Sequence, residues 1–301
     1  MDSHSLIASS TRWMTAGLEV FTEGTDTGFA VHHFGVATEH LLKGYLSSYH
    51  PALIVDATDF PGLLHATGHG PHASTALPDA KTITALEAFR RSNHLLKPKL
   101  IVPEPAFKAF LNVRNGVSHM GAHVPDRARA TLITAISIVD PLLAALDVQL
   151  AAYWGNYMDL HAELLAKRAD DLKISYQMKI AAARHMLATR RGDVDAQIFA
   201  MVATELDPCD DDEEPADCPV CGATGRLGGH ISIERMDDGD PTDYANSDWA
   251  VMLYPFAFQC PVCRLQLEAS ELSLAGLPTE VRTKHEPEEW AMPDEDMYRD
   301  R

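Results

Sequence analysis

Two short stretches of this 301-residue chain combine side chains that can do chemistry. The first is a matched pair, Cys218-Pro-Val-Cys221-Gly222 and Cys260-Pro-Val-Cys263-Arg264. Two residues between thiolates let one tight turn present both sulfurs to a single ion. Gly222 supplies the positive φ that such a turn favours. Cys218, Cys221, Cys260 and Cys263 together read as a closed, four-thiolate site for a structural zinc ion (Zn2+). The 38 residues between the pairs exceed the roughly 15–20 of compact sites, so a hairpin and a loop must be inserted. The second stretch is Val113-Arg114-Asn115-Gly116-Val117-Ser118-His119. Arginine offers a permanent, fork-shaped charge suited to phosphate. Histidine exchanges a proton near neutral pH. Together they suffice for RNA cleavage without a metal, the 2′-hydroxyl acting as internal nucleophile. Five residues on a regular helix is about 140° of rotation, which would point Arg114 and His119 apart. Gly116 is therefore expected to break the helix and bring them round. Asn115 is expected to hold the local turn through its side chain.

These residues carry two resemblances. Residues 215–270 resemble a zinc ribbon, a likeness specific for metal and silent on function. Arg114, Asn115 and His119 match the R-(N/D/H)-x-x-x-H type motif of the HEPN domains, supported by Phe107-Lys-Ala-Phe-Leu-Asn-Val113 before it and by Glu39-His-Leu-Leu-Lys43 on a preceding helix. The resemblance covers about residues 10–150. It implies a small helical bundle and a metal-independent endoribonuclease, leaving a cyclic phosphate, of the kind found in toxin–antitoxin growth control, antiphage defence and RNA processing. Arg114 and His119 would be catalytic and Asn115 the orienting residue. RNA would be the partner, and a homodimer would face two motifs across a shared cleft. In one toxin branch an antitoxin adds AMP to a tyrosine two residues after the histidine; Gly121 stands there, so that control is not implied. Many such domains are inactive. The alternative function is therefore a non-catalytic RNA-binding or protein-interaction module.

Weaker groupings are read as structural. His65, His69 and His72 have ligand-like spacing, but they lie in a Gly-rich stretch expected to be a surface loop. His32, His33 and His40 fall on a helix, with His32 or His33 able to reach a cleft. His123 follows His119 by four and could assist it. Arg90 and Arg91 read as a solvated helix end. Cys209, among Asp and Glu, reads as an unpaired surface cysteine, because the acids discourage its thiolate.

The elements that must position these groups are mainly α, with a small β-rich end. Helices are predicted over 29–49, 78–96, 103–113 and 126–150, with Pro141 kinking or splitting the last. No Gly or Pro interrupts residues 156–191, which predicts one long helix or two packed pieces. A short helix over 193–206 follows. Alternation around Ile231 and Ile233, an aromatic run over 249–258, and Leu265 with Leu267 predict a small β domain. The resulting division is a HEPN-like bundle over 1–150, a helical extension over 151–206, an acidic linker over 207–215, a zinc ribbon over 216–275 and a loose acidic tail over 276–301.

Charge follows the same division. The balance is −18 overall, and residues 206–301 alone carry 7 basic and 23 acidic side chains. That argues against coating nucleic acid generally, leaves room for a local phosphate site in the first half, and points the C-terminal end toward a protein partner. No uninterrupted apolar run approaches the ~20 residues of a membrane span; the most apolar, 131–139, is closed by Asp140 and Pro141. No basic-then-apolar leader opens the chain. The expected setting is cytoplasmic, without membrane contact, which also suits thiols kept for metal rather than disulfides.

Overall fold

The computed structural model describes residues 2–121, 125–192, 212–236 and 249–286. The predicted helix over 193–206, Cys209, His123 and residues 287–301 of the acidic tail lie outside them. Two compact units divide at residues 168 and 169.

The first unit is helical. Helix α1 (Ser3–Glu23) has no counterpart among the predicted helices; Asp2 caps it by accepting from the His4 and Ser5 amides. Helix α2 (Thr27–Tyr49) starts on Asp26, which accepts from Gly28 and Phe29. It is the central element, packed against α1, α4 (Ala85–Leu95), α5 (Glu104–Met120) and α6 (Pro125–Ala145). Neighbours on so many sides explain why its apolar residues form a broad band rather than a narrow stripe. Phe34, Leu41, Leu42 and Leu46 are fully buried, and Phe107 stacks on Phe89 with centroids 4.3 Å apart.

Several predicted boundaries move. Residues 56–78 are not wholly loop: α3 (Phe60–Ala66) and two short 3-10 turns organise them. Helix α4 starts at Thr84, whose hydroxyl caps it, rather than at Pro78. Helix α5 continues to Met120, and Gly121 closes it in the left-handed conformation. Helix α6 passes through Pro141 without splitting, because burial of Ile138, Val139, Leu142 and Leu143 on both sides of the proline outweighs one lost backbone hydrogen bond. Residues Arg127–Ala145 are long and apolar enough to cross a membrane by length and composition, yet half of that window is buried in this unit. A continuous-run criterion misses it because Thr and Ser interrupt the sequence without lowering the average much. Just before Pro141, Asp140 accepts from Trp154 Nε1 of α7 (Leu150–Trp154) at 3.0 Å and pairs with His161 Nε2 of α8 (Met158–Arg191) at 2.8 Å.

The second unit joins the later part of α8 to a curled antiparallel sheet. Strands β1 (Glu213–Asp217), β2 (Thr224–Arg235), β3 (Trp249–Gln259) and β4 (Gln266–Glu268) lie in sequence order, and β5 (Val281–Arg282) pairs with β3. A short helix, α9 (Ala269–Leu272), follows β4. Tyr176, Ile180, Ala183 and Leu187 of α8 pack on Leu227, Leu253, Phe258, Leu265 and Leu267. The predicted linker is shorter than 207–215, because Glu213–Pro215 pair with β2 and Glu213 meets Arg226 at 3.0 Å. The loose tail also starts later than Gly276: Val281 pairs with Leu253, and the Thr283 amide donates to Val251.

Candidate functional site

Arg114 sits where α5 crosses α2. A stripe on α2, His32, Gly35, Glu39 and Lys43, is spaced three, four and four residues apart and therefore shares one helix face. Gly35 lets the arginine stem lie flat: a Cβ there would stand 2.6 Å from Arg114 Cγ. Arg114 Nη2 donates to Glu39 Oε2 at 2.5 Å, and Nη1 donates to Asn115 Oδ1 at 3.0 Å. Its Nε is buried, with no partner among the described residues. Lys43 Nζ donates to the other Glu39 oxygen at 2.7 Å and to Thr82 Oγ1 at 3.0 Å. One carboxylate thus lies between two cations, so the cluster keeps one net positive charge. From the same face, His32 Nδ1 lies 2.8 Å from Ser118 Oγ, which also contacts the Arg114 carbonyl at 2.9 Å. Burial, then the Arg114 charge, holds His32 below the usual histidine range. Rings of Trp13, Phe29 and His33 extend the face, with Trp13 and His33 centroids 4.9 Å apart.

The expected break at Gly116 does not occur. This glycine is buried inside a continuous α5, and a glycine in a helix interior costs only about 1 kcal/mol, which packing overrides. Arg114 and His119 therefore point about 140° apart, and His119 is exposed in the last turn. Asn115 does not hold a turn; its amide oxygen meets the guanidinium. Sequence reasoning singled out Glu39 and Lys43 on the preceding helix and His32 as able to reach a cleft; what it missed is their meeting with Arg114 and Ser118. Its signal was the stripe spacing, with Gly35 as the position an arginine could cross.

The remaining histidines and arginines are placed individually. His65 Nε2 contacts the Thr75 carbonyl at 2.8 Å, and His69 Nδ1 lies near Thr67. They do not combine with His72 into a metal group among the described residues. His40 Nδ1 meets Ser9 Oγ at 3.1 Å. Arg90 and Arg91 are not simply solvated: Arg90 grips both Glu104 oxygens, while Arg91 pairs with Glu87 and donates to the Leu53 carbonyl.

The cysteines converge in the second unit. The sulfurs of Cys218, Cys221, Cys260 and Cys263 all lie within 4.8 Å of one another, and they can hold a metal ion. Sγ separations of 3.5 Å occur for Cys218–Cys263 and Cys221–Cys260, close to the ~3.8 Å edge of a tetrahedron with 2.3 Å metal–sulfur bonds. The two turns repeat one pattern: the Gly222 amide donates to the Cys218 carbonyl and the Arg264 amide to the Cys260 carbonyl, both at 2.9 Å. Gly222 has φ +71° and Arg264 φ +61°. Burial raises the Cys221 thiol, while hydrogen bonds from Cys218 and Cys263 lower Cys260; four thiolates packed this closely would be held together by a cation between them. From α8, Arg190 Nη1 donates to the Pro261 and Val262 carbonyls, bracing the second turn.

A scan against protein-family models and searches of the curated proteins and of the solved structures find no match to this chain. The residues alone carry the functional argument.

Gly35→Ala should cost about 1–3 kcal/mol, because the added methyl overlaps the Arg114 stem. In the Arg114→Ala background the same change should cost clearly less, because Cγ and Nε are gone and only the Cβ contact at 3.2 Å remains. Additive losses by denaturant unfolding in a double-mutant cycle would mean that Arg114 does not lie across Gly35.

Proposed function

We propose that the helical unit is a HEPN-type RNA-cleaving domain that needs no metal, acting in antiphage defence or toxin–antitoxin growth control. The observation that carries this reading is Arg114 locked at a helix crossing beside Lys43 and His32, with one net positive charge and proton-exchanging imidazoles on the same end of α5. Arg114 would hold the phosphate and stabilise charge as it develops on the phosphorus oxygens. His119 would exchange a proton with the sugar oxygens. Arg114 and His119 diverge around one helix, so a second copy of the chain is the simplest way to bring them to one phosphodiester. Glu39, the carboxylate at the crossing, is engaged by two cations, which favours chemistry based on Arg and His. The four cysteines would hold one zinc ion as a zinc ribbon, a scaffold separate from the reaction.

A second reading has its own support. Glu39 already neutralises Arg114, which suits a structural ion pair in a non-catalytic RNA-binding or protein-interaction module.

The deciding experiment is cleavage of single-stranded RNA in EDTA, with end-group analysis. Retained cleavage, a 2′,3′-cyclic phosphate product and loss in His119→Ala are expected. Activity that disappears in EDTA and returns with Mg2+, while zinc stays bound, would overturn the metal-independent mechanism. RNA left intact by the wild type would favour the second reading.

A further inference from the structure

We propose that His32, on α2, is the base that removes the proton from the attacking 2′-hydroxyl, so that the substrate of this site must be RNA and not DNA. The proposal rests on the RNA-cleavage reading above and adds a group that the Arg114–His119 motif lacks. Breaking RNA by internal attack moves two protons, one off the 2′-oxygen and one onto the departing 5′-oxygen. The motif holds a single histidine, and that histidine points away from Arg114 of its own chain.

The hydrogen bonds around Ser118 assign the state of His32. Ser118 Oγ carries one hydrogen. It lies 2.9 Å from the Arg114 carbonyl, which can only accept, so the hydrogen goes there. His32 Nδ1 lies 2.8 Å from the same oxygen and must therefore donate to it. A neutral imidazole protonated at Nδ1 has its free lone pair at Nε2. Ser118 thus fixes the tautomer in which Nε2 is a base, much as second partners orient histidines elsewhere. Burial and the Arg114 charge favour the neutral ring. Arg114 and Ser118 approach from α5, the Trp13 ring from α1 at 6.4 Å, and His33 along α2 at 6.0 Å. Glu39, farther along α2, is held by Arg114 and Lys43.

In the step itself, Nε2 takes the 2′-hydroxyl proton as the 2′-oxygen bonds to phosphorus. The bond from phosphorus to the 5′-oxygen breaks, and His119, supplied by a second copy, gives that oxygen its proton. The products are a 2′,3′-cyclic phosphate and a 5′-hydroxyl. His32 ends protonated and His119 neutral, and solvent exchange resets both.

The test uses His32→Asn in the full chain. Its amide N–H2 takes the place of Nδ1–H and keeps the bond to Ser118, while Nε2 is lost. Cleavage of an RNA oligonucleotide at pH 7 should fall about 10²- to 10⁴-fold, with RNA binding unchanged. In the wild type the rate should rise with pH through a pKa below the ordinary ~6.5 of histidine, and this limb should vanish in the variant. An RNA with sulfur in place of the 5′-bridging oxygen leaves without needing an acid. It should rescue His119→Ala and fail to rescue His32→Asn. A His32→Asn protein within threefold of wild type, or rescued by the thio substrate, overturns the role of His32 while leaving the ribonuclease reading in place. Wild type that never cleaves overturns both. Independently of cleavage, ¹⁵N NMR of the wild-type imidazole at pH 7 should show Nδ1 protonated and Nε2 bare. The reverse tautomer overturns the proposal.

Discussion

Replacing Cys218 with Ser, or removing metal with a strong chelator, is expected to unfold the C-terminal unit while the helical unit keeps its structure. The size of the effect follows from how little else holds that unit. Its buried core consists of a few leucines, Phe258, Val262, Ala183 and three of the cysteines themselves. A unit with so few apolar side chains depends on a staple, and structural zinc binding supplies on the order of 10–16 kcal/mol. The loss should not stop at the sheet. Ala183, Tyr176, Ile180 and Leu187 of α8 pack into the same core, Lys179 and Ser175 meet the buried Glu271 at 2.6 and 3.2 Å, and Arg190 braces the second cysteine turn. Hydrogen exchange should therefore show lost protection over β2, β3 and the later half of α8 together. Amides of α2 and α6 should stay protected. Elemental analysis should find one zinc per chain in protein purified under reducing conditions. Protein free of metal by that analysis, with the β2–β3 amides still protected, would refute a structural ion.

The second large effect concerns the Arg114–His119 motif. Arg114→Ala should lower RNA cleavage about 10²- to 10³-fold, the range for removing one donor to a developing oxyanion. His119→Ala should lower it about 10²- to 10⁴-fold. Arg114→Lys should not restore the rate, because an ammonium cannot keep both the Glu39 and Asn115 contacts in the plane of a guanidinium. Mixing the two alanine variants is more telling. If Arg114 of one copy works with His119 of the other, half the dimers formed at equal amounts are mixed. Each of those holds one intact site of two, so about a quarter of wild-type activity should return. Sizing by light scattering should give about twice the 33.0 kDa chain mass. A mixture no more active than its components, or a monomer fully active at nanomolar concentration, would reject the shared site.

The sequence was most informative where chemistry is local. A Cys-x-x-Cys turn places two sulfurs within one loop, and the matching Pro-Val insert and Gly222 announce the same turn twice. Pairing of the two turns into one cluster followed from ligand number alone. Helix α2 and the long α8 were legible because amphipathic or uninterrupted runs report on packing within their own length. Boundaries were poorer. Thr84 rather than Pro78 starts α4, since a side-chain cap decides where a helix begins. Helix α1 was missed because its buried face is spread thinly over Ser10, Met14, Gly17 and Leu18.

What only the tertiary structure decided is the company each reactive residue keeps. Glu39 and Arg114 are 75 residues apart, and His32 and Ser118 are 86 apart; no local pattern states that α2 and α5 cross there. Gly116 illustrates the same limit. Its intrinsic cost is small beside the burial of α5, so packing kept the helix straight and turned His119 away from Arg114. The Arg–His spacing was a fact of the sequence. That His32, oriented by Ser118, stands beside Arg114 in its place followed from how α5 packs on α2, because side-chain direction along a continuous helix is fixed by its 3.6-residue turn.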